Sequence, residues 1–172
     1  MLRAHKLSWQ RQKAGAGSRI EGDSHLGKVL IVDDEEAIII YLTLLLEDQG
    51  YDICTAMDGD QGLEVARRER PDVVCMDIMM PRRSGLSLYA DMCLDPELSS
   101  IPVIFISGFN DLMDLRRVET FRKAVPDRRV PLPEYCFEKP VDVPELLAAI
   151  ETLVARKARG PGGAKGDTHA PQ

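Results

Sequence analysis

The sequence has no apolar run of the roughly 18 residues that a membrane-spanning helix needs. Its first 27 residues are basic but contain no apolar stretch long enough for a signal peptide. Since signals for membrane insertion and for export are both missing, we expect a cytoplasmic protein without membrane insertion. The chain of 172 residues can bury one ordinary hydrophobic core, so we expect one folded domain.

Common motifs for binding zinc and nucleotides are also missing. The four cysteines are widely separated, without a Cys-x-x-Cys pair or the close Cys and His spacing of zinc sites. We interpret them as small core residues. No glycine-rich phosphate loop of the P-loop or dinucleotide-binding type occurs. These absences argue against zinc binding, thiol redox chemistry and nucleotide binding.

Positive charge is scarce in the central part of the chain. Residues 29–154 hold 12 Lys and Arg against 25 Asp and Glu, a net charge of −13, whereas the whole chain carries −6. A surface this acidic repels nucleic acid, because binding requires neutralisation of phosphates. We therefore expect no nucleic-acid partner. The segments 1–27 and 158–172 are predicted to be a flexible basic N-terminal extension and a disordered C-terminal tail.

Between these end segments, short apolar runs alternate with helical stretches. We predict strands at 28–32, 51–55, 72–76, 103–106 and 135–137, and helices at 35–49, 59–69, 86–94, 111–125 and 144–156. Parallel strands need crossover connections, and near-continuous apolar strands indicate that both faces of the sheet are covered. The sequence therefore predicts a doubly wound α/β domain with a five-stranded parallel sheet and helices on both faces.

Polar residues follow four of the predicted strands. Asp33 and Asp34 follow the first, Asp77 the third, Ser107 the fourth and Lys139 the fifth. In this class of fold, ligands bind beyond the carboxyl ends of the strands, so we expect these side chains to converge there. Three close carboxylates repel one another unless a cation lies among them, and an all-oxygen site suits Mg²⁺. A carboxylate beside Mg²⁺ can act as a nucleophile towards a phosphoryl group.

Together with the segment DIMMPRRSG at 77–85 and the pair Lys139-Pro140, these residues resemble the receiver domain of bacterial two-component response regulators. The resemblance covers about residues 28–156, and it is specific because separated elements agree in order and spacing. It implies a flavodoxin-like strand order of 2-1-3-4-5. We accordingly predict a receiver domain over residues 28–157.

The resemblance also implies a role for each of these residues. Asp77 would be the phosphoacceptor, Ser107 the switch hydroxyl and Lys139 the base that contacts the phosphoryl group. Pro140 would follow a peptide bond that is often cis in the family. The implied Mg²⁺ ligands are Asp33, Asp34, Asp77 and the backbone carbonyl of Met79.

Two features depart from the family pattern near the fifth strand. The family generally has an aromatic switch residue three positions before the lysine, and here Cys136 occupies that position. Because strand residues alternate between faces, we predict that neither Tyr135 nor Phe137 replaces it, unless the strand is irregular. The connection at 126–134 contains three prolines and is longer than usual. We expect it to alter the face that receiver domains commonly use for dimerisation or output contacts.

Two further departures concern hydrolysis and partner binding. Met79 and Phe109 occupy positions that tune the access of water to the acyl phosphate in the family, and both are apolar, so we expect slow hydrolysis. The first predicted helix carries Ile39, Ile40 and Leu44 beyond the residues that one buried face needs. They form either an exposed partner surface or a more deeply buried stripe under the last helix.

The sequence thus favours a stand-alone receiver that accepts a phosphoryl group from a phosphohistidine donor and signals by phosphorylation-dependent partner binding. The expected partners are a histidine kinase or histidine phosphotransfer protein and a downstream protein target. It would not be a conventional enzyme. The alternatives are a phosphorylation-independent interaction module and, less favoured, a haloacid dehalogenase-type phosphatase. Such phosphatases need a second carboxylate two residues after the nucleophile, where this chain has Met79.

Overall fold

The computed structural model describes residues 25–108 and 117–158. The strands are β1 (Lys28–Val32), β2 (Asp52–Ala56), β3 (Val73–Met76), β4 (Val103–Ser107) and β5 (Tyr135–Glu138). The helices are α1 (Glu36–Asp48), α2 (Gly59–Glu69), α3 (Gly85–Leu94), α4 (Val118–Ala124) and α5 (Val143–Ala158). Outside the described residues lie Phe109, the first part of the helix predicted at 111–125, and nearly all of the two predicted end segments.

All five strands are parallel, in the order β2-β1-β3-β4-β5. This order confirms the predicted doubly wound α/β fold and its flavodoxin-like topology. The bounds of the strands and of four helices differ from the predicted bounds by at most two residues. None of the helices within the described ranges is long and apolar enough to cross a membrane.

The sheet separates two hydrophobic cores, because successive residues of each strand point to opposite faces. Val74 and Met76 of β3 pack in one core with residues of α2, α3 and α4. Val73 and Cys75 pack in the other core with residues of α1 and α5. Both faces of the sheet are therefore covered, which explains the continuous apolar sequence of the central strands.

Helix α2 begins at a well-formed N-cap, Asp58. The carboxylate of Asp58 accepts hydrogen bonds from the backbone N–H groups of Asp60 at 3.0 Å and Gln61 at 2.9 Å. These bonds satisfy donors that have no partner within the helix. At its other end Arg70 adopts a left-handed conformation and Pro71 follows, which ends the helix.

The proline-containing connection 126–134 is held at the amino edge of the sheet. Val130 is fully buried in the core beside α4. The guanidinium of Arg122 donates to the carbonyl of Val130 at 2.8 Å, and the hydroxyl of Tyr89 donates to the carbonyl of Pro131 at 3.3 Å. These contacts hold the extra length against α3 and α4. An altered dimerisation or output face stays a prediction.

Candidate functional site

The carboxyl edge of the sheet brings together Asp33, Asp77, Ser107 and Lys139, as the sequence predicts. The ammonium of Lys139 lies 2.8 Å from Oδ2 of Asp33 and 3.4 Å from Oδ1 of Asp77. The hydroxyl of Ser107 donates a hydrogen bond to the same Oδ1 atom at 2.8 Å. Four side chains from four strands thus form one connected cluster.

Backbone hydrogen bonds hold three of these residues in place just beyond their strands. The N–H of Asp33 donates to the carbonyl of Ala56 at 3.2 Å, and the N–H of Asp77 donates to the carbonyl of Val32 at 2.9 Å. In the same way, the N–H of Lys139 donates to the carbonyl of Ser107 at 3.0 Å. Each side chain therefore leaves a backbone that the neighbouring strand still holds, which gives the site a rigid base.

The site is mostly buried, and burial governs its electrostatics. Asp33 is 2% exposed, Asp77 is 5% exposed and Ser107 is fully buried. Burial raises the pKa of Asp33, although the ammonium of Lys139 and the N–H of Glu35 act in the opposite direction. Burial by itself lowers the pKa of Lys139, but its contact with Asp33 and the charge of Asp77 outweigh burial and raise that pKa. Lys139 is therefore a permanent cation at neutral pH.

The other predicted ligands, Asp34 and Met79, are exposed to solvent. Asp34 is exposed beside the buried Asp33. The side chain of Met79 is 62% exposed, in the loop that follows β3. The bond between Lys139 and Pro140 is cis, as the family resemblance implies.

Sequence reasoning missed one acidic member of the site. The carboxylate of Glu35 lies 3.1 Å from the ammonium of Lys139. The signal available in the sequence is the acidic run at 33–36, in which Glu35 directly follows the predicted ligands. Lys139 consequently contacts three carboxylates in the described structure.

The donor set fits Mg²⁺, although no ready-made cluster of three metal-ligating side chains occurs within residues 25–108 and 117–158. Mg²⁺ typically uses one or two carboxylates and keeps several waters, so it does not need a closed protein cage. Buried Asp33 and Asp77 and the exposed Asp34 offer hard oxygen ligands at one edge. The contacts of the Asp77 side chain with Ser107 and Lys139 both use Oδ1.

The structure also places Cys136 as the alternation of strand residues predicts. Cys136 pairs in register with Phe105 and packs against the core that contains α3 and α4. Tyr135 and Phe137 pack against the opposite core, with their rings stacked at 6.5 Å between centroids. The register of β5 on β4 is continuous. The predicted alternation of β5 is therefore confirmed, and both rings lie on the face opposite Cys136.

Helix α1 exposes part of its apolar stripe. Ile40 is 52% exposed and Leu44 is 64% exposed, and Tyr41 lies between them at 48%. Ile39 instead packs against the core beneath α5. Of the two interpretations left open by the sequence, exposure therefore applies to Ile40 and Leu44, and burial applies to Ile39. We call Ile40, Tyr41 and Leu44 the α1 apolar surface.

Comparison with known proteins agrees with this arrangement. A family model described as the response regulator receiver domain matches residues 29–125. Protein PilH of Pseudomonas aeruginosa is 35% identical over 130 residues, which cover 76% of this chain and 99% of PilH. The DNA-binding dual master transcriptional regulator RpaA of Synechocystis sp. is 30% identical over 138 residues. That match covers 80% of this chain but only 53% of RpaA.

Solved structures show the same fold. A response regulator receiver domain from Clostridium thermocellum superposes with a TM-score of 0.63 at 26% identity, covering 77% of this chain and 97% of that one. The chemotaxis response regulator CheY4 of Vibrio cholerae gives a TM-score of 0.60 at 25% identity, with coverages of 73% and 97%. The matched family model, the relatives and the fold agree, and the chain belongs to the response regulator receiver domain family of two-component systems.

Proposed function

We propose that the chain accepts a phosphoryl group on Asp77 from a phosphohistidine donor and signals through a change in the partner protein that it binds. The observation that carries this proposal is the contact of the buried Asp77 carboxylate with both the Ser107 hydroxyl and the Lys139 ammonium. Within this proposal, residues 28–157 form the receiver.

The reaction is a transfer between two nucleophiles. A carboxylate oxygen of Asp77 forms a bond to phosphorus while the bond from phosphorus to the donor's imidazole nitrogen breaks, and the electron pair of that bond stays on the nitrogen. The protonated Lys139 balances the charge of the transferred oxygens. Bound Mg²⁺, held by Asp33, Asp34, Asp77 and the Met79 carbonyl, would supply further charge neutralisation.

The Ser107 hydroxyl connects the reaction to signalling. In the structure described here it donates to Asp77 Oδ1. Once Asp77 carries a phosphoryl group, the hydroxyl can donate to a phosphoryl oxygen instead, which moves the Ser107 side chain. Because Cys136 occupies the usual aromatic position, this shift would not be passed on through a ring at residue 136.

The α1 apolar surface is the docking site that we propose for the phosphohistidine donor. It exposes two large aliphatic side chains, Ile40 and Leu44, on the helix that starts three residues after Asp33. Exposed apolar residues next to a reaction site are typical of protein–protein contacts. We infer that a histidine kinase or histidine phosphotransfer protein binds there.

The test is the intact mass of the protein after incubation with acetyl phosphate and Mg²⁺. We expect a gain of one phosphoryl group, which Asp77→Asn and chelation of the metal both abolish. The decay of this species also tests for slow hydrolysis. A lifetime unchanged by Met79→Asn combined with Phe109→Glu would contradict the expectation that these apolar residues limit water access.

A second candidate function is a phosphorylation-independent interaction module. The presence of Cys136 where the family has its aromatic residue, with no irregularity in β5, favours it. This candidate gains support if the protein binds Mg²⁺ but takes up no phosphoryl group from either acetyl phosphate or a phosphohistidine protein. A phosphatase of the haloacid dehalogenase type is disfavoured further, since the chain belongs to the receiver family.

A further inference from the structure

Two arginines hold the loop after Asp77 against the start of helix α2. We call residues 78–84 the β3–α3 loop. Arg82 forms an ion pair with Asp58, the N-cap residue of α2. The guanidinium of Arg83 lies 2.9 Å from Asp60 in the first turn of α2 and also pairs with Asp91 of α3. The loop is thus tied to both helices on this side of the sheet.

The backbone of this loop adopts a conformation that needs support. Arg82 has a φ of +64°, in the left-handed region. A side chain with a Cβ is strained there, so such residues persist where surrounding contacts hold them. The contact that Arg82 makes is well suited to this purpose, because Asp58 is 4% exposed and two backbone N–H groups already orient its carboxylate.

The loop is also packed closely between its neighbours. A Cβ at Gly59 of α2 would lie 2.9 Å from the carbonyl oxygen of Arg83, so the loop rests directly on the backbone of that helix. At its other end, the N–H of Gly85 donates to the carbonyl of Ile78 at 2.9 Å. Shifts of the loop away from α2 would therefore change the backbone that follows the phosphoacceptor, including the carbonyl of Met79.

We propose that Arg82 and Arg83 are positioning residues that present the Met79 carbonyl to Mg²⁺ by holding the β3–α3 loop against the N-terminus of α2. This inference rests on the proposed function, because it concerns the metal site of that reaction. The residues act through the loop and do not touch the reacting atoms. The apparent affinity for Mg²⁺ equals the affinity of the competent conformation multiplied by the fraction of molecules in that conformation. Molecules whose loop has left this position therefore lower it.

The decisive variant is Arg82→Gly. Glycine adopts a φ of +64° without strain, so this change removes the ion pair with little cost from the backbone. We expect the dissociation constant for Mg²⁺, measured by calorimetry on folded protein, to rise on the order of tenfold. Hydrogen exchange of the loop amides should also become faster in the metal-free protein. Arg82→Lys should restore part of the affinity, because it keeps the charge.

Two further variants control for charge and for general stability. Asp58→Asn keeps a good N-cap but removes the negative charge, so it should weaken Mg²⁺ binding in the same direction as Arg82→Gly. Both changes break the same ion pair, between Arg82 and Asp58. The double variant should therefore lose little more Mg²⁺ affinity than Arg82→Gly alone. Arg67→Ala removes a comparable exposed ion pair, with Asp95 at 3.0 Å, and should leave the affinity unchanged.

The outcomes separate this inference from the proposed function. Equal Mg²⁺ affinities for wild type, Arg82→Gly and Arg67→Ala would overturn the positioning role and leave the proposed function standing. Equal losses in Arg82→Gly and Arg67→Ala would also overturn it, because the effect would then be one of general stability. A wild-type protein without Mg²⁺ affinity would overturn the proposed function and this inference together.

Discussion

The two edges of the sheet use charge in opposite ways. At the carboxyl edge, the single ammonium of Lys139 contacts the carboxylates of Asp33, Glu35 and Asp77. At the amino edge, charges are matched: Lys157 lies 3.2 Å from Asp72, and another pair joins α5 to the connection before β5. An excess of buried acid opposes folding unless a cation joins it. The carboxyl edge therefore has the composition of a ligand site, and the amino edge that of a structural support.

Two glycines, one at each edge, differ in how closely their surroundings are packed. At the carboxyl edge, a Cβ on Gly85 would lie 1.9 Å from the carbonyl oxygen of Asp77. At the amino edge, a Cβ on Gly50 would meet nothing closer than 3.9 Å, although the φ of +92° favours glycine. The start of α3 is thus pressed against the proposed phosphoacceptor, whereas the turn before β2 has space.

This difference predicts the largest effect on stability. Gly85→Ala should lower the free energy of unfolding by about 3 kcal/mol or more, because backbone must move to admit the methyl group. Gly50→Ala should cost only about 1 kcal/mol, from backbone strain. Urea unfolding followed by circular dichroism measures both. Equal losses in the two variants would show that the close packing at the carboxyl edge is not what constrains Gly85.

A smaller effect is expected from the connection at the amino edge. Val130→Ala should destabilise the protein by about 2 kcal/mol, since Val130 is fully buried and its truncation leaves a cavity. Leu132→Ala, in the same connection but 42% exposed, should change the free energy of unfolding by less than about 0.5 kcal/mol. The same urea titration distinguishes them. If both variants were neutral, the burial of Val130 would not contribute to stability.

The smallest predicted effects on the free energy of unfolding come from one Asp→Asn change at each edge, and they have opposite signs. Asp33→Asn should stabilise the metal-free protein by about 1 kcal/mol at neutral pH, because it removes a buried charge while Lys139 keeps its contacts with Glu35 and Asp77. Asp72→Asn should destabilise it by about 0.5 kcal/mol, since Lys157 loses its ionic partner. Thermal or urea unfolding without Mg²⁺ measures both, and equal signs would contradict the contrast between the edges.

The effect of Asp33→Asn also depends on pH in a defined direction. Burial raises the pKa of Asp33 in the folded protein, so the ionised carboxylate destabilises the fold above that pKa. As the pH falls through the raised pKa towards about 4, the carboxyl group becomes protonated and this cost disappears. The advantage of Asp33→Asn should therefore shrink on acidification. An advantage that grows instead would show that the contact with Lys139 outweighs burial.

Local patterns in the sequence predicted most of the fold. Alternating apolar runs and helical stretches predicted all five strands and four helices to within two residues. The convergence of Asp33, Asp77, Ser107 and Lys139 followed because parallel strands share a carboxyl edge. The position of Cys136 on the opposite face from Tyr135 and Phe137 followed from the alternation of a regular strand.

Other contacts join residues that are distant in the sequence and carry no local pattern. Arg82 and Asp58 are 24 residues apart, and Lys139 and Glu35 are 104 apart. The sequence showed that the connection at 126–134 is long and contains three prolines. The burial of Val130, however, depends on a space that α4 and the sheet create only when they pack.

What the sequence determined by itself is the alternation of elements and the chemistry placed at the strand ends, because periodicity and backbone direction act over a few residues. The tertiary structure alone decided which charges meet, which loop rests on which helix, and which apolar residues of α1 face solvent. These depend on the distances between whole elements, and such distances are set only when both hydrophobic cores pack around the sheet.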